Sequence, residues 1–329
     1  MRTARCARGV VVVCLGLLGL GGSPLVSGAA ARPNVVVLMT DDQDAASVHV
    51  MESVQRELGD AGATFDNSFV SYSLCCPSRA TFLTGQYAHN HGATINNGYD
   101  LVDHTNALPV WLQRAGYHTA HIGKYLNGYG LPDLLEAPPP GWSEWFGSPG
   151  SLDNYYFGFK LNHEGGLIRF PGNAYRTDVY TDLAVDVIER NAPSSQPFFL
   201  WVAYAAPHAG RPVESGDPAG IATPVPAPRH VDAFSSEPLP QPASLNETDV
   251  SDKPVAMRRL PRLNAADLAD TRANYQQRLE SLLGVDESVE AIVSALRDSG
   301  ELDNTLIVFT SDNGFFHGEH RKKSGKLLA

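Results

Sequence analysis

The chain is short of cysteine, of positive charge and of long apolar runs. It has four cysteines in 329 residues. Two of them, Cys6 and Cys14, lie in a leading segment with the grammar of an export signal. Arg2, Arg5 and Arg8 come first, then the apolar run Val10 to Leu20, then the small residues Ser27-Gly28-Ala29-Ala30-Ala31. A basic start, a short apolar stretch and a small-residue exit describe a signal peptide, residues 1–31, and a secreted product. Its removal leaves Cys75 and Cys76 alone, which excludes a disulfide scaffold. No later run is apolar enough to cross a bilayer, so stable membrane insertion is not expected. The formal charge is −11, and about −14 once the three leading arginines are gone. That excludes a general nucleic-acid binder. An anionic substrate stays open, because a local cationic cluster governs distances within a Debye length of about 8–10 Å.

What is there is one alternating pattern. Four apolar, β-like runs end in polar, reactive residues. Val35 to Thr40 leads into Asp41-Asp42, and Tyr117 to Ile122 into Gly123-Lys124. Phe198 to Ala203 leads to Pro207-His208, and Leu306 to Thr310 into Ser311-Asp312-Asn313-Gly314. Continuous apolar strands suit a parallel sheet covered on both faces, and such sheets carry their sites beyond the strands' carboxyl ends. Helical spacing falls between them, at Ser47 to Gly59, Leu108 to Gly116, Asp178 to Asn191 and Asn274 to Ser299. The expected fold is α/β, a mostly parallel central sheet with helices on both faces. Residues 137–150, rich in proline, are expected to be an ordered loop, and residues 210–254 a loop near the rim of the pocket.

The candidate site residues are few. Adjacent Cα atoms sit about 3.8 Å apart, closer than the roughly 4.4 Å a disulfide needs, so Cys75-Cys76 is a poor staple. In Cys75-Cys76-Pro77-Ser78-Arg79 the proline suits a first helical turn, and Gly85 ends the helix. A sulfur at such a helix start meets converging N–H groups, a place that favours anions and thiolate chemistry. Arg79, four residues on, shares the face of Cys75 and can hold an oxyanion. Asp41-Asp42 and Asp312-Asn313 offer hard oxygen ligands for Ca²⁺ or Mg²⁺, although each pair alone serves equally as a cap or turn former. Lys124, His208 and Lys326 are candidate cations near strand ends. His89 and His91 read as structural, with ligation the alternative, and His317 and His320 as loop residues without a role.

These motifs together resemble the formylglycine-dependent sulfatases of the alkaline phosphatase superfamily. The resemblance rests on Asn34 to Asp42, Cys75 to Gly85, Gly123-Lys124-Tyr125, Ala206-Pro207-His208 and Thr310 to Gly314. Gly123 to Asn127 and Asp153 to Tyr156 are similar to the N-acetylglucosamine-6-sulfatase branch. The resemblance implies an alkaline phosphatase-like catalytic domain over residues 32–329, shorter at its C-terminus than family members. It implies a sulfuric ester hydrolase acting on sulfated sugars or aryl sulfates. Cys75 would be oxidised to formylglycine (3-oxoalanine) by a formylglycine-generating enzyme, leaving Cys76 as the variable position. Asp41, Asp42, Asp312 and Asn313, with the modified Cys75, match the calcium ligands. Arg79, Lys124 and Lys326 would bind sulfate oxygens, and His208 would contact sulfate or assist the leaving group. Leu126 stands where many sulfatases carry a histidine, which leaves Asn127 as a hydrogen-bonding residue only. The competing readings are a phosphodiesterase or phosphonate-monoester hydrolase on the same fold, and a calcium-dependent sulfated-glycan binder without turnover.

Overall fold

The computed structural model describes residues 32–130, 137–150, 154–192 and 194–326. The expected signal segment and Asp153 lie outside the described residues. Seven strands among these residues form one sheet: β1 (Asn34–Thr40), β2 (His118–Lys124), β3 (Glu144–Ser148), β4 (Lys160–His163), β5 (Gly166–Arg169), β6 (Phe198–Ala203) and β7 (Thr305–Ser311). Their order is β5-β4-β3-β2-β6-β1-β7. The five strands from β3 to β7 in that order run parallel, whereas β4 and β5 pair antiparallel at one edge. β1 lies between β6 and the edge strand β7, with Val37 level with Trp201 on one side and Val308 on the other.

Alternation along the strands builds two cores. Four helices longer than one or two turns cover them: α1 (Cys75–Thr84), α2 (Leu108–Arg114), α3 (Arg176–Asn191) and α4 (Ala265–Asp298). Val36, Leu38, Leu200 and Val202 face α3 and α4, meeting Ala184, Val187, Ile188, Val285, Val289 and Ile292. Val37, Met39, Phe199 and Trp201 face the other way, against Cys76, Ala80 and Leu83 of α1 and the edge of α2. Helices therefore lie on both faces of a mostly parallel sheet, as expected.

Several boundaries differ from the sequence reading. The stretch 137–150 holds a strand, β3, whose Trp145 and Phe146 are buried. The expected helix over 47–59 is broken into a 3₁₀ segment (Ala45–Val50), one α turn (Glu52–Val54) and a π turn (Gln55–Gly59). The cause is Asp286 of α4, whose carboxylate accepts from the N–H groups of Ser53 and Val54 at 2.9 Å each and restarts the helix there. Helix α4 begins nine residues earlier than its apolar spacing indicates, at a reciprocal capping box between Asn264 and Asp267. The coil 210–254 is more than a rim: Ile221, Val225, Ala227 and Leu239 are buried, and Tyr175 Oη donates to the Val225 carbonyl at 3.1 Å. His317 and His320 are anchored rather than on a free loop, His317 to Asp44 at 3.2 Å and His320 to Glu247 at 2.7 Å.

Candidate active site

The parallel strands deliver their C-terminal residues to one edge of the sheet. β1 ends in Asp41-Asp42, β2 in Lys124, and β7 in Ser311 followed by Asp312-Asn313, while the turn after β6 carries His208. The start of α1 faces this edge. Leu74 is extended, Pro77 sits in the first turn, and Gly85 closes the helix at φ +66° with its N–H on the Thr81 carbonyl at 2.8 Å. The helix thus presents Cys75 and Arg79 together.

Cys75 Sγ is buried among the others. It lies 3.2 Å from Asp41 Oδ1, 3.6 Å from Asp42 Oδ1, 3.9 Å from Asn313 Nδ2 and 2.6 Å from Lys326 Nζ. One ligand atom each from Asp41, Asp42, Cys75 and His208 falls within 4.8 Å of the rest. Arg79 is fully buried; its Nε donates to Asp312 Oδ2 at 2.7 Å and its Nη1 to the Lys124 carbonyl at 2.7 Å. Lys124 Nζ pairs with Asp41 and Lys326 Nζ with Asp42. His208 Nε2 stands 3.8 Å from Asp42 Oδ2 and is partly exposed at the mouth. All nine residues singled out from the sequence therefore meet at one place.

Three buried carboxylates (Asp41, Asp42, Asp312) face three cations (Arg79, Lys124, Lys326), and this balance sets the protonation states. Burial alone would raise Asp41, but Lys124, His208, Arg79 and Lys326 outweigh it and hold the carboxyl well below its usual range. Burial and the neighbouring Asp41 push Asp312 up. Burial disfavours charge on Lys124 and Lys326, yet Asp41 and Asp42 respectively raise both. Burial, then Asp41, drives the Cys75 thiol well above its ordinary value. Burial and these acids favour the neutral thiol, against the expectation that the helix start favours thiolate. Burial first, and then carboxylates within 4 Å, overrule a weak helix-end field.

Two atoms are conspicuous. Asn313 Oδ1 and Arg79 Nη2 are buried without a hydrogen-bond partner. A bare amide oxygen beside three carboxylates fits a hard dication, and an unsatisfied guanidinium N–H fits an oxyanion. The donor set therefore suits Ca²⁺ or Mg²⁺ at Asp41, Asp42, Asp312 and Asn313. A cleft above the cluster is lined by Lys124, Ser148, Asn154, Tyr156, Arg176 and His208.

A family model described as Sulfatase matches residues 33–328. The chain belongs to the sulfatase family. It is 36% identical to an arylsulfatase of Volvox carteri, across 97% of this chain and 52% of that protein. It is 33% identical to the N-acetylglucosamine-6-sulfatase of Homo sapiens, across 92% of this chain and 55% of that protein. The chain spans about half the length of these curated relatives. The solved structure of BT4656 with its substrate D-glucosamine-2-N,6-O-disulfate is 27% identical, with a TM-score of 0.70 over 88% of this chain and 67% of that one. The phosphonate monoester hydrolase of Agrobacterium radiobacter, at 20% identity and a TM-score of 0.60, shares the fold.

Other residues of this sulfatase-family chain stand apart from the cluster. Leu126 is buried in the aromatic core rather than at the site. His91 bonds Thr81 at 3.2 Å and the Ala93 N–H at 3.1 Å, a structural role, while His89 stacks on exposed Tyr87. Arg278 of α4 was missed, though it carried a signal. It falls on the apolar stripe with Leu282, Val285 and Val289, where a lone charge needs a reason.

Proposed function

We propose that the protein is a secreted sulfuric ester hydrolase that releases sulfate from sugars or aryl alcohols, with 6-sulfated glucosamine as the foremost sugar class. What carries this reading is the meeting of Cys75, four oxygen donors and three fixed cations in one buried cluster. The names of the relatives and the disulfated sugar bound by BT4656 support the substrate class. Relatives named as extracellular sulfatases support export.

Oxidised by a formylglycine-generating enzyme and hydrated, the Cys75 side chain would bring two hydroxyls on one carbon, one to attack sulfur and one whose deprotonation expels sulfate. Calcium, or magnesium in its place, held by Asp41, Asp42, Asp312 and Asn313, would lower the nucleophile's pKa and polarise a sulfate oxygen. The remaining work belongs to the chain. Arg79 would offer Nη2, which has no hydrogen bond and lies 3.8 Å from Asp41 Oδ2, to a sulfate oxygen while Asp312 and the Lys124 carbonyl fix its plane. Lys124 and Lys326 add charge where it builds up on transfer. His208, at the mouth, donates Nδ1–H to the Ala209 carbonyl at 2.7 Å, so only its doubly protonated ring would carry a proton on Nε2 for the leaving oxygen.

The test is sulfate release from a panel of sulfated sugars and aryl esters, measured alongside the mass of the residue-75 peptide. Turnover with an unmodified thiol would sink the mechanism. Faster release of phosphate from aryl phosphates would favour the phosphonate-hydrolase reading. Calcium-dependent sugar binding with no sulfate released would favour the binder. Chelation should abolish turnover and calcium should restore it.

A further inference from the structure

Arg278 is 1% exposed, and no carboxylate lies within ion-pair distance of it among the described residues. Its two terminal guanidinium nitrogens bind backbone instead, while Nε has no hydrogen-bond partner. Nη1 donates to the Pro207 carbonyl at 2.8 Å and Nη2 to the Asp42 carbonyl at 2.5 Å. Its plane lies over the Phe315 ring, 3.8 Å from the centroid. These contacts reach three separate loops. Asp42 follows β1, Pro207 precedes His208 after β6, and Phe315 follows Asp312-Asn313-Gly314 after β7. Other links between these loops are Asp41 N–H to the Ala206 carbonyl and Asp312 N–H to the Thr40 carbonyl, each at 3.1 Å. Asp42 N–H to Asp312 Oδ1 and Gln43 N–H to Ser311 Oγ add two more, each at 3.0 Å, and none of these bonds reaches Phe315.

Asp42 adds a reason for such a bracket. It holds φ +68°, a left-handed conformation costly for a residue with a Cβ. That turn lets consecutive side chains, Asp41 and Asp42, both face Cys75. A planar fork is suited to hold its carbonyl and a second one in fixed relation, and stacking on an aromatic face is a further property of guanidinium that an ammonium lacks.

We infer that Arg278 is a positioning residue that clamps the β1, β6 and β7 loops from behind, fixing Asp42 and His208 relative to Asp312-Asn313. The inference rests on the proposed function for its consequence, since what it positions is the calcium and sulfate site. It touches neither ligand itself.

The experiment compares full-length wild type with Arg278→Lys and Phe315→Leu. Amide hydrogen exchange is read on peptides covering 40–44, 205–209 and 311–315, with α1 as internal control. Calcium affinity is read by calorimetry. In Arg278→Lys the three loop peptides should exchange at least tenfold faster together while α1 keeps its protection, and the calcium Kd should rise at least tenfold. Phe315→Leu should move the same readouts in the same direction by a smaller factor, and it decides the matter if Arg278→Lys does not fold. A folded Arg278→Lys protein, or failing that a folded Phe315→Leu protein, with loop exchange within twofold of wild type overturns the inference. Unchanged calcium affinity with faster loops overturns the link to the metal. Wild type that binds no calcium fails the proposed function instead, and the exchange result still judges the clamp.

Discussion

Arg79 shows how one residue serves stability and chemistry together. It is fully buried and its nearest acid, Asp312, is equally buried. Breaking a buried pair by removing one partner leaves an uncompensated charge and costs about 3–5 kcal/mol. Arg79→Met should therefore lower unfolding free energy by that order in a urea titration, besides abolishing turnover. The two cysteines should behave oppositely. Cys76 packs against Ala80 and Leu83 away from the cluster, so Cys76→Ala should keep turnover near wild type and cost about 1 kcal/mol of stability. Cys75→Ser should bind a sulfate ester yet fail to turn it over, visible as a sulfate adduct on the residue-75 peptide. At this scale the sequence was legible where side-chain period did the work: the four-residue step from Cys75 to Arg79 and the acids at apolar strand ends. The thiol's protonation state was not legible, because it depends on acids that come from distant strands.

Among the elements, the continuous apolar strands β1, β2 and β6 read clearly because each is buried on both faces, and β7 read as a strand although one of its faces is open. β4 and β5 did not. Gly166–Arg169 is exposed throughout and Lys160–His163 is short and polar, so neither leaves an apolar trace. The break in the 47–59 segment was invisible because its cause, Asp286, lies on another helix. Two elements carry sharp predictions. Gly123 in β2 has φ +102°, and a Cβ there would come within 2.1 Å of the Ala203 carbonyl oxygen. Gly123→Ala should push β2 from β6, displace Lys124, and cost about 3 kcal/mol or more by thermal or denaturant unfolding. Glu144 begins β3 and ties it to α3 through Arg190 at 2.7 Å, with His118 at 2.6 Å. Burial would raise its carboxyl, but His118 and Arg190 lower it from 4.5 to about 2. That contribution is complete above about pH 4.5 and disappears as pH falls through about 2. Glu144→Gln should thus be less stable than wild type at neutral pH, and the two unfolding curves should converge across that acidic interval.

For the molecule as a whole, the sheet is asymmetric. The antiparallel hairpin β4-β5 finishes one edge, while among the described residues β7 pairs with β1 alone. Leu306 and Val308 of β7 are exposed at 55% and 38%, an apolar row beside open N–H and C=O groups. In dilute solution this edge should draw copies of the chain together. Val308→Lys should reduce the concentration-dependent rise in light scattering, whereas the same change at exposed Val255 should not. Fold class could be read from sequence because the alternation of strands and helices is a whole-chain property. Strand order could not, since β1 takes its neighbours from far downstream.

That strand order has a consequence in time. Cys75 is buried against Asn313 and Lys326, which are translated 238 and 251 residues after it and dock with β7. On the proposed mechanism, conversion of that thiol to a carbonyl is expected before those residues dock. The interval between translating α1 and docking β7 would then be the window for arming the protein.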